Sequence, residues 1–218
     1  MWRDGRVDVR EADAGQRNSE VLLPMIDALL AAQGVARADL DGIAFGAGPG
    51  AFTGVRVACG VAKGIAFGLN LPVAGVVTLQ ALAEAANAPR VVCCLDARMG
   101  EIYHAAYEKS GDDWREICAP SLCTADTAPE LPGNGWQACG SGFAAFGEPL
   151  SKRYGGQLAG VTAGVVPHAR EVAVLAARLF ARGETVDAEH AAPLYVRNKV
   201  ALSTSERAAD ASQQDGRK

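Results

Sequence analysis

The sequence predicts an α/β protein in which strands and helices alternate along the chain. The short apolar runs at 42–46 and 71–77 are typical of buried strands, and each precedes a segment with helical spacing of apolar residues. A strand, a helix and a second strand in this order favour a parallel sheet with crossover connections. The 218-residue chain also carries 25 glycines, which allow helices and sheets to approach closely. We therefore expect tightly packed α/β layers.

The first lobe is predicted over residues 1–88. The dipeptide Asp4-Gly5 is a turn signal for an N-terminal hairpin. Three hydroxyl residues can cap helices by accepting hydrogen bonds from free backbone N–H groups. These caps are Ser19, Thr53 and Thr78, and their helices are predicted to end at Gly34, about Gly68 and near Asn87.

The second lobe is predicted over residues 89–202. Strands at 91–95 and 101–108 form a β-hairpin around the connection 96–100. Loops with short strands are expected at 118–142, and an Ala- and Leu-rich helix at 170–182 is stopped by Gly183. The polar tail at 203–218 lacks periodicity and is predicted to be disordered.

Composition and charge restrict the function classes. A formal net charge of -4 gives no electrostatic drive toward phosphate backbones, so we expect a partner to hold any nucleic acid. The six cysteines contain no CxxC pair, which indicates reduced thiols. We identify no uninterrupted apolar run of the ~20 residues that a membrane helix needs, and no signal peptide, so a cytoplasmic location is expected.

The glycine loop GAGPGAFTGVR, at 46–56, does not match three known chemistries. A P-loop needs GxxxxGK[ST], which the sequence lacks. The loop fits GxGxxA, but no acidic residue ends the strand at 71–77 to hold a ribose. A nucleophile elbow needs GxSxG, which is also absent. Two interpretations stay open: a structural turn, or an anion site at the helix start.

The remaining polar candidates are few. The three histidines are widely separated and form no HExxH or HxxxH pair, so neither a metal nor a cofactor is expected. Asp96, at a strand end, is the best-placed single acid. It is interpreted as a turn-forming side chain, with Glu101 and Arg98 as candidates for the local ion pair of the turn, and a catalytic role is the alternative.

Two rows of residues indicate a packing surface. One row consists of glycines four residues apart on the second helix, which would let another element approach closely. The other is an apolar face on the first helix, costly to expose in a monomer. The rows are Gly60, Gly64 and Gly68, and Leu22, Leu23, Ile26, Leu29 and Leu30.

Three motifs in order along the chain resemble the TsaB (YeaZ) family. The loop motif comprises Gly48, Pro49, Gly50, Phe52, Thr53, Gly54 and Arg56. The second-lobe motif comprises Asp96, Arg98, Glu101 and Tyr103, and the closing motif is 193–197. The resemblance implies an actin-like, RNase H-like (ASKHA) fold of two lobes. It also implies a non-catalytic partner of the paralogue TsaD in forming N6-threonylcarbamoyladenosine (t6A) in tRNAs that read codons beginning with A.

The resemblance further implies pairing with TsaD through the two first-lobe helices, cooperation with the ATPase TsaE, homodimers when alone, and tRNA contact only through the complex. This sequence departs from the family pattern in two places. Ala51 stands where the family usually has Ser, and the chain starts at what resembles the second strand, so the first strand is expected to be missing through truncation or a late start codon. The alternative function is an actin-like enzyme, a phosphotransferase or a peptidase, using Asp96 and the glycine loop.

Overall fold

The computed structural model describes residues 1–12 and 17–196. The predicted disordered tail at 203–218 lies outside the described residues. The first part of the chain forms a hairpin, two further strands and three helices. In chain order these are β1 (Trp2–Arg3), β2 (Arg6–Val7), α1 (Asn18–Ala32), β3 (Ile43–Gly48), α2 (Phe52–Leu69), β4 (Val73–Val77) and α3 (Thr78–Ala86).

The hairpin and the crossover unit of the first lobe form as predicted. Asp4 and Gly5 both adopt positive φ, which turns β1 into the antiparallel β2. β3 and β4 pair in parallel, with α2 as the connection between them. Among the described strands, the hairpin and the β3–β4 pair remain two separate two-stranded sheets.

The second lobe is built on a five-stranded sheet in the order β7-β6-β5-β8-β9. β6 pairs antiparallel with both β5 and β7, whereas β8 pairs in parallel with β5 and β9 in parallel with β8. The elements are β5 (Arg90–Arg98), β6 (Glu101–Ser110), β7 (Asp113–Cys123), β8 (Trp136–Cys139), α4 (Ser141–Ala145), α5 (Gly147–Tyr154), β9 (Leu158–Thr162) and α6 (Ala169–Ala181).

Helices α3 and α6 connect the two lobes. α3 packs against strands of both sheets, and its buried Leu79 and Leu82 belong to a core that includes Val91 and Leu175. α6 lies in the predicted second lobe, 89–202, but it packs against β3, β4 and the N-terminal hairpin. The chain therefore returns to β3 and β4 after β9, which sequence periodicity alone could not reveal.

Glu84 on α3 fixes this arrangement with hydrogen bonds from three elements. It accepts from Arg178 of α6 at 2.7 Å, from Trp114 of β7 at 2.6 Å and from Lys109 of β6 at 3.3 Å. Burial alone would raise the pKa of the Glu84 carboxyl, but the hydrogen bonds from Arg178 and Trp114 outweigh it and the pKa is lowered. The ionised Glu84 carboxylate therefore links α3 to α6 and to the second sheet.

The three predicted helix caps are wrong. α1, α2 and α3 are preceded by Arg17, Ala51 and Val77, none of which makes a side-chain capping hydrogen bond. Ser19, Thr53 and Thr78 instead lie within the first helical residues. A capping residue needs a non-helical backbone just before the helix, and the strand-to-helix turns here begin the helices earlier than the hydroxyl positions indicate.

α2 exposes much of its apolar surface. By length and mean hydropathy alone it could cross a membrane, and 17% of it is buried in the described structure. Two side chains of α2 hydrogen-bond to the last part of the described chain. Lys63 Nζ donates to the Glu189 carbonyl at 2.9 Å, and Arg56 Nε donates to Tyr195 Oη at 2.8 Å. Its inner face buries Cys59, Ala62 and Ala66 in the first-lobe core.

Candidate functional site

A cleft of about 500 Å³ separates the lobes and brings the loop motif and the second-lobe motif together. Glycine-loop and α2 residues form one wall, and the β5–β6 hairpin with the start of α4 contributes to the other. The lining residues are Gly46, Gly50, Ala51, Gly54, Val55, Ala58, Thr78, Leu95, Asp96, Tyr103, Ser141 and Pro167. Sequence reasoning named neither Ser141 nor Pro167 for this site.

The glycine loop is a turn held by two distant parts of the chain. The Gly48 N–H donates to Thr78 Oγ1 at 3.1 Å, so the predicted cap of α3 in fact fixes the loop. Leu194 donates its N–H to the Ala47 carbonyl at 2.7 Å. Gly48 has a φ of +107°, and a Cβ there would lie 3.0 Å from the Leu194 carbonyl oxygen, so the turn needs glycine. These contacts favour the structural interpretation of the loop.

Asp96, on the opposite wall, holds the β5–β6 turn. Its carboxylate accepts from the Arg98 N–H at 2.8 Å and from Arg98 Nη1 at 3.0 Å. Arg98 and Met99 both adopt left-handed φ values, which non-glycine residues rarely do, so the turn needs such support. The Asp96 N–H donates to Ser141 Oγ at 3.1 Å. The turn-forming role agrees with the sequence interpretation. The ion pair joins Arg98 to Asp96, and Glu101 stands opposite Arg98 at the start of β6.

Among the described residues no hydrogen bond joins a histidine to a cysteine, although His104 stands opposite Cys94 in the β5–β6 pair. His168 and His190 contact the carboxylates of Glu11 and Glu189. His104 is fully buried, and neither of its ring nitrogens has a hydrogen-bond partner in the structure. Burial raises the pKa of the Cys93 and Cys94 thiols well above the ordinary value, which keeps them protonated. Within the described ranges, no His, Cys, Asp and Glu residues cluster as a metal site would require.

The glycine row lies on the outer face of α2. Gly60, Gly64 and Gly68 are exposed, and a Cβ added at any of them would meet nothing within 4 Å. The close neighbour expected for this row is therefore not found in the described chain. Phe67, beside the row, is 79% exposed.

The apolar row on α1 has a mixed environment. Leu30 is buried, Leu23 is 46% exposed, and the other three members of the row are half-buried. The other three are Leu22, Ile26 and Leu29. α1 packs beside α2.

The match to a family model gives the class of protein to which this fold belongs. The family model described as tRNA N6-adenosine threonylcarbamoyltransferase matches residues 12–205. A crystal structure from Pseudomonas aeruginosa, described as similar to peptidase YEAZ, superposes with a TM-score of 0.82 at 35% identity, over 90% of this chain and 92% of that chain. YeaZ from Pseudomonas aeruginosa gives a TM-score of 0.81 at 36% identity, over 89% and 91% of the two chains. The fold is thus the actin-like, ASKHA-type fold that the motifs predicted.

Similarity to individual proteins identifies the family more specifically. The TsaB protein of Escherichia coli, a tRNA threonylcarbamoyladenosine biosynthesis protein, is 35% identical over 92% of this chain and 90% of its own length. Its counterpart in Haemophilus influenzae is 35% identical over 92% of this chain and 88% of its own length. The chain therefore belongs to the TsaB (YeaZ) family, as the sequence motifs predicted.

Proposed function

We propose that this protein is the non-catalytic subunit of a system that forms t6A in tRNAs reading codons that begin with A. The observation that carries the proposal is its 35% identity, over 92% of the chain, with a relative named as a tRNA threonylcarbamoyladenosine biosynthesis protein. The matching family model is described as the threonylcarbamoyltransferase itself. An accessory role explains how a transferase-like fold could serve the pathway without carrying out its chemistry.

The cleft geometry supports a role without chemistry. Asp96 is occupied by the backbone and side chain of Arg98, and Thr78 accepts from Gly48. Both polar groups thus stabilise turns. A peptidase would need an accessible nucleophile beside a base, whereas His104 and its cross-strand neighbour Cys94 are both fully buried. The phosphotransferase and peptidase alternatives gain no support from this site.

The proposed partners follow from the exposed face of α2 and its neighbour α1. A TsaD-like transferase subunit would cover this face, and a second copy of the chain would cover it when the partner is absent. A TsaE-like ATPase would join the complex, and tRNA would be held by the other subunits because this chain is acidic overall. Such a complex would operate in the cytoplasm.

Reconstitution of t6A formation tests the accessory role. The chain alone should produce no t6A on tRNA, and omission of the chain should abolish synthesis by its TsaD-like and TsaE-like counterparts. Asp96→Asn keeps an oxygen that can accept from the Arg98 N–H and should leave the rate unchanged. If Asp96→Asn lost activity while partner binding stayed intact, a catalytic role would replace the accessory one.

A further inference from the structure

Arg56 differs from the other bonded arginines of the described chain in having no carboxylate partner there. It hydrogen-bonds an uncharged phenol, Tyr195. Seven arginines of the described chain instead form salt bridges with Asp or Glu. They are Arg37, Arg90, Arg98, Arg115, Arg153, Arg178 and Arg182.

The guanidinium of Arg56 is held in place by two aromatic rings. Its Cζ lies 3.7 Å from the centroid of the Phe52 ring and 5.6 Å from that of the Tyr195 ring. Nε donates to Tyr195 Oη at 2.8 Å, which fixes the plane of the group. The rings are still accessible, with Phe52 38% and Tyr195 49% exposed. Stacking and the Nε bond thus pre-organise a fork that can bind a carboxylate through its two Nη atoms.

Arg56 stands at the head of the open glycine row. Phe52, Arg56, Gly60, Gly64 and Gly68 follow one another at intervals of four residues, so they form one ridge along α2. All five are exposed. An element lying along the three glycines would therefore meet the guanidinium at one end of its path.

We propose that Arg56 is the charged anchor of this surface and binds a carboxylate on a helix of the TsaD-like partner that lies along the glycine row. The inference rests on the proposed function. α2 carries the cations Arg56 and Lys63 and no acid, so an acidic partner surface complements its charge. An RNA backbone fits less well, because three flat glycines offer it no cations. A second copy could cover the row when the partner is absent, but its α2 would bring cation against cation and would offer Arg56 no carboxylate.

Binding to the purified TsaD-like subunit of the same genome, measured by calorimetry, tests the proposal. Arg56→Gln should weaken binding by at least about 30-fold, as expected when a central anchor of an interface is removed. Arg56→Lys should restore only part of the loss, because an ammonium group cannot make the planar two-point contact. Arg115→Gln, an exposed arginine on β7 remote from α2, is the matched control and should bind as the wild type does.

Three further readouts separate this role from a structural one. Tyr195→Phe removes the phenol hydrogen bond but keeps the ring and the charge, so it should bind more tightly than Arg56→Gln; equal losses would mean that Arg56 only anchors the C-terminal segment. Added salt should weaken the wild type more than Arg56→Gln. Sedimentation of the isolated wild type and Arg56→Gln tests whether a second copy is the occupant. If Arg56→Gln self-associated less than the wild type but bound the TsaD-like subunit equally well, the proposal would be overturned.

Different outcomes would overturn the proposed function and the proposed role of Arg56. If the wild type does not bind the TsaD-like subunit, the proposed function fails. If the wild type binds and Arg56→Gln binds equally well with the same salt dependence, only the role of Arg56 is overturned. Thermal unfolding of each variant, compared with the wild type, shows whether a loss of binding comes from a loss of fold.

Discussion

Two groups of glycines in this protein have opposite surroundings. Gly140 and Gly142, where β8 leads into α4, pack so closely on Cys94 that a Cβ would lie 2.4 Å and 2.7 Å from its atoms. At Gly60, Gly64 and Gly68 on α2, a Cβ would meet nothing within 4 Å. Intramolecular packing therefore explains the first group. It leaves the second unexplained, although glycine costs ~1 kcal/mol per position in a helix.

The comparison is sharpest at Gly140, where a side chain is excluded by both space and backbone. Gly140→Ala places Cβ 2.4 Å from the Cys94 carbonyl oxygen at a φ of +101°. We expect a loss of about 4 kcal/mol in the free energy of unfolding, from overpacking and backbone strain together. Urea denaturation measures the loss. Gly147→Ala is the control, because a Cβ there meets nothing within 4 Å, and it should change stability little.

The burial of His104 also predicts that the stability of the fold depends on pH. Burial lowers the pKa of His104 to about 4, with the nearby Arg153 as a second cause, whereas the unfolded chain keeps about 6.5. Between these values the unfolded state binds the extra proton. Folding stability is therefore intact above the unfolded pKa and falls as the pH drops toward 4, by up to about 3 kcal/mol.

The pH prediction is checked by urea denaturation across this range for the wild type and His104→Leu. The variant should lose this part of the pH dependence, while His168→Leu, which removes an exposed histidine, should keep it. An unchanged slope in His104→Leu would show that His104 is already solvated or paired in solution.

Local sequence patterns predicted the helices and strands better than they predicted the contacts between distant parts of the chain. The hairpin, the β3–α2–β4 unit and the β5–β6 turn were predictable because turn chemistry and periodicity are local. α5 was missed because Gly147 and Pro149 mask a short helix whose buried contacts are only Leu150 and Tyr154. β9, a five-residue strand with mostly exposed positions, gave no clear alternation.

The candidate site shows the same limit. The residue types predicted a turn at Asp96 and left the glycine loop open between a structural turn and an anion site. Thr78, Ser141 and Leu194, which hold those turns, act through contacts between distant parts of the chain. The open state of the glycine row could not be read from its spacing either, because a row of small residues is equally consistent with an internal helix contact.

The central claim is that the glycine row is kept open for a partner, and the Gly60→Ala, Gly64→Ala, Gly68→Ala triple variant tests it most directly. The isolated chain should not lose stability and should gain up to about 1 kcal/mol per substitution, because alanine favours the helix. Binding to the TsaD-like subunit, measured in parallel, should fall by at least about tenfold, because three methyl groups would push the partner away. A variant that gains stability and binds the partner as tightly as the wild type would contradict the claim.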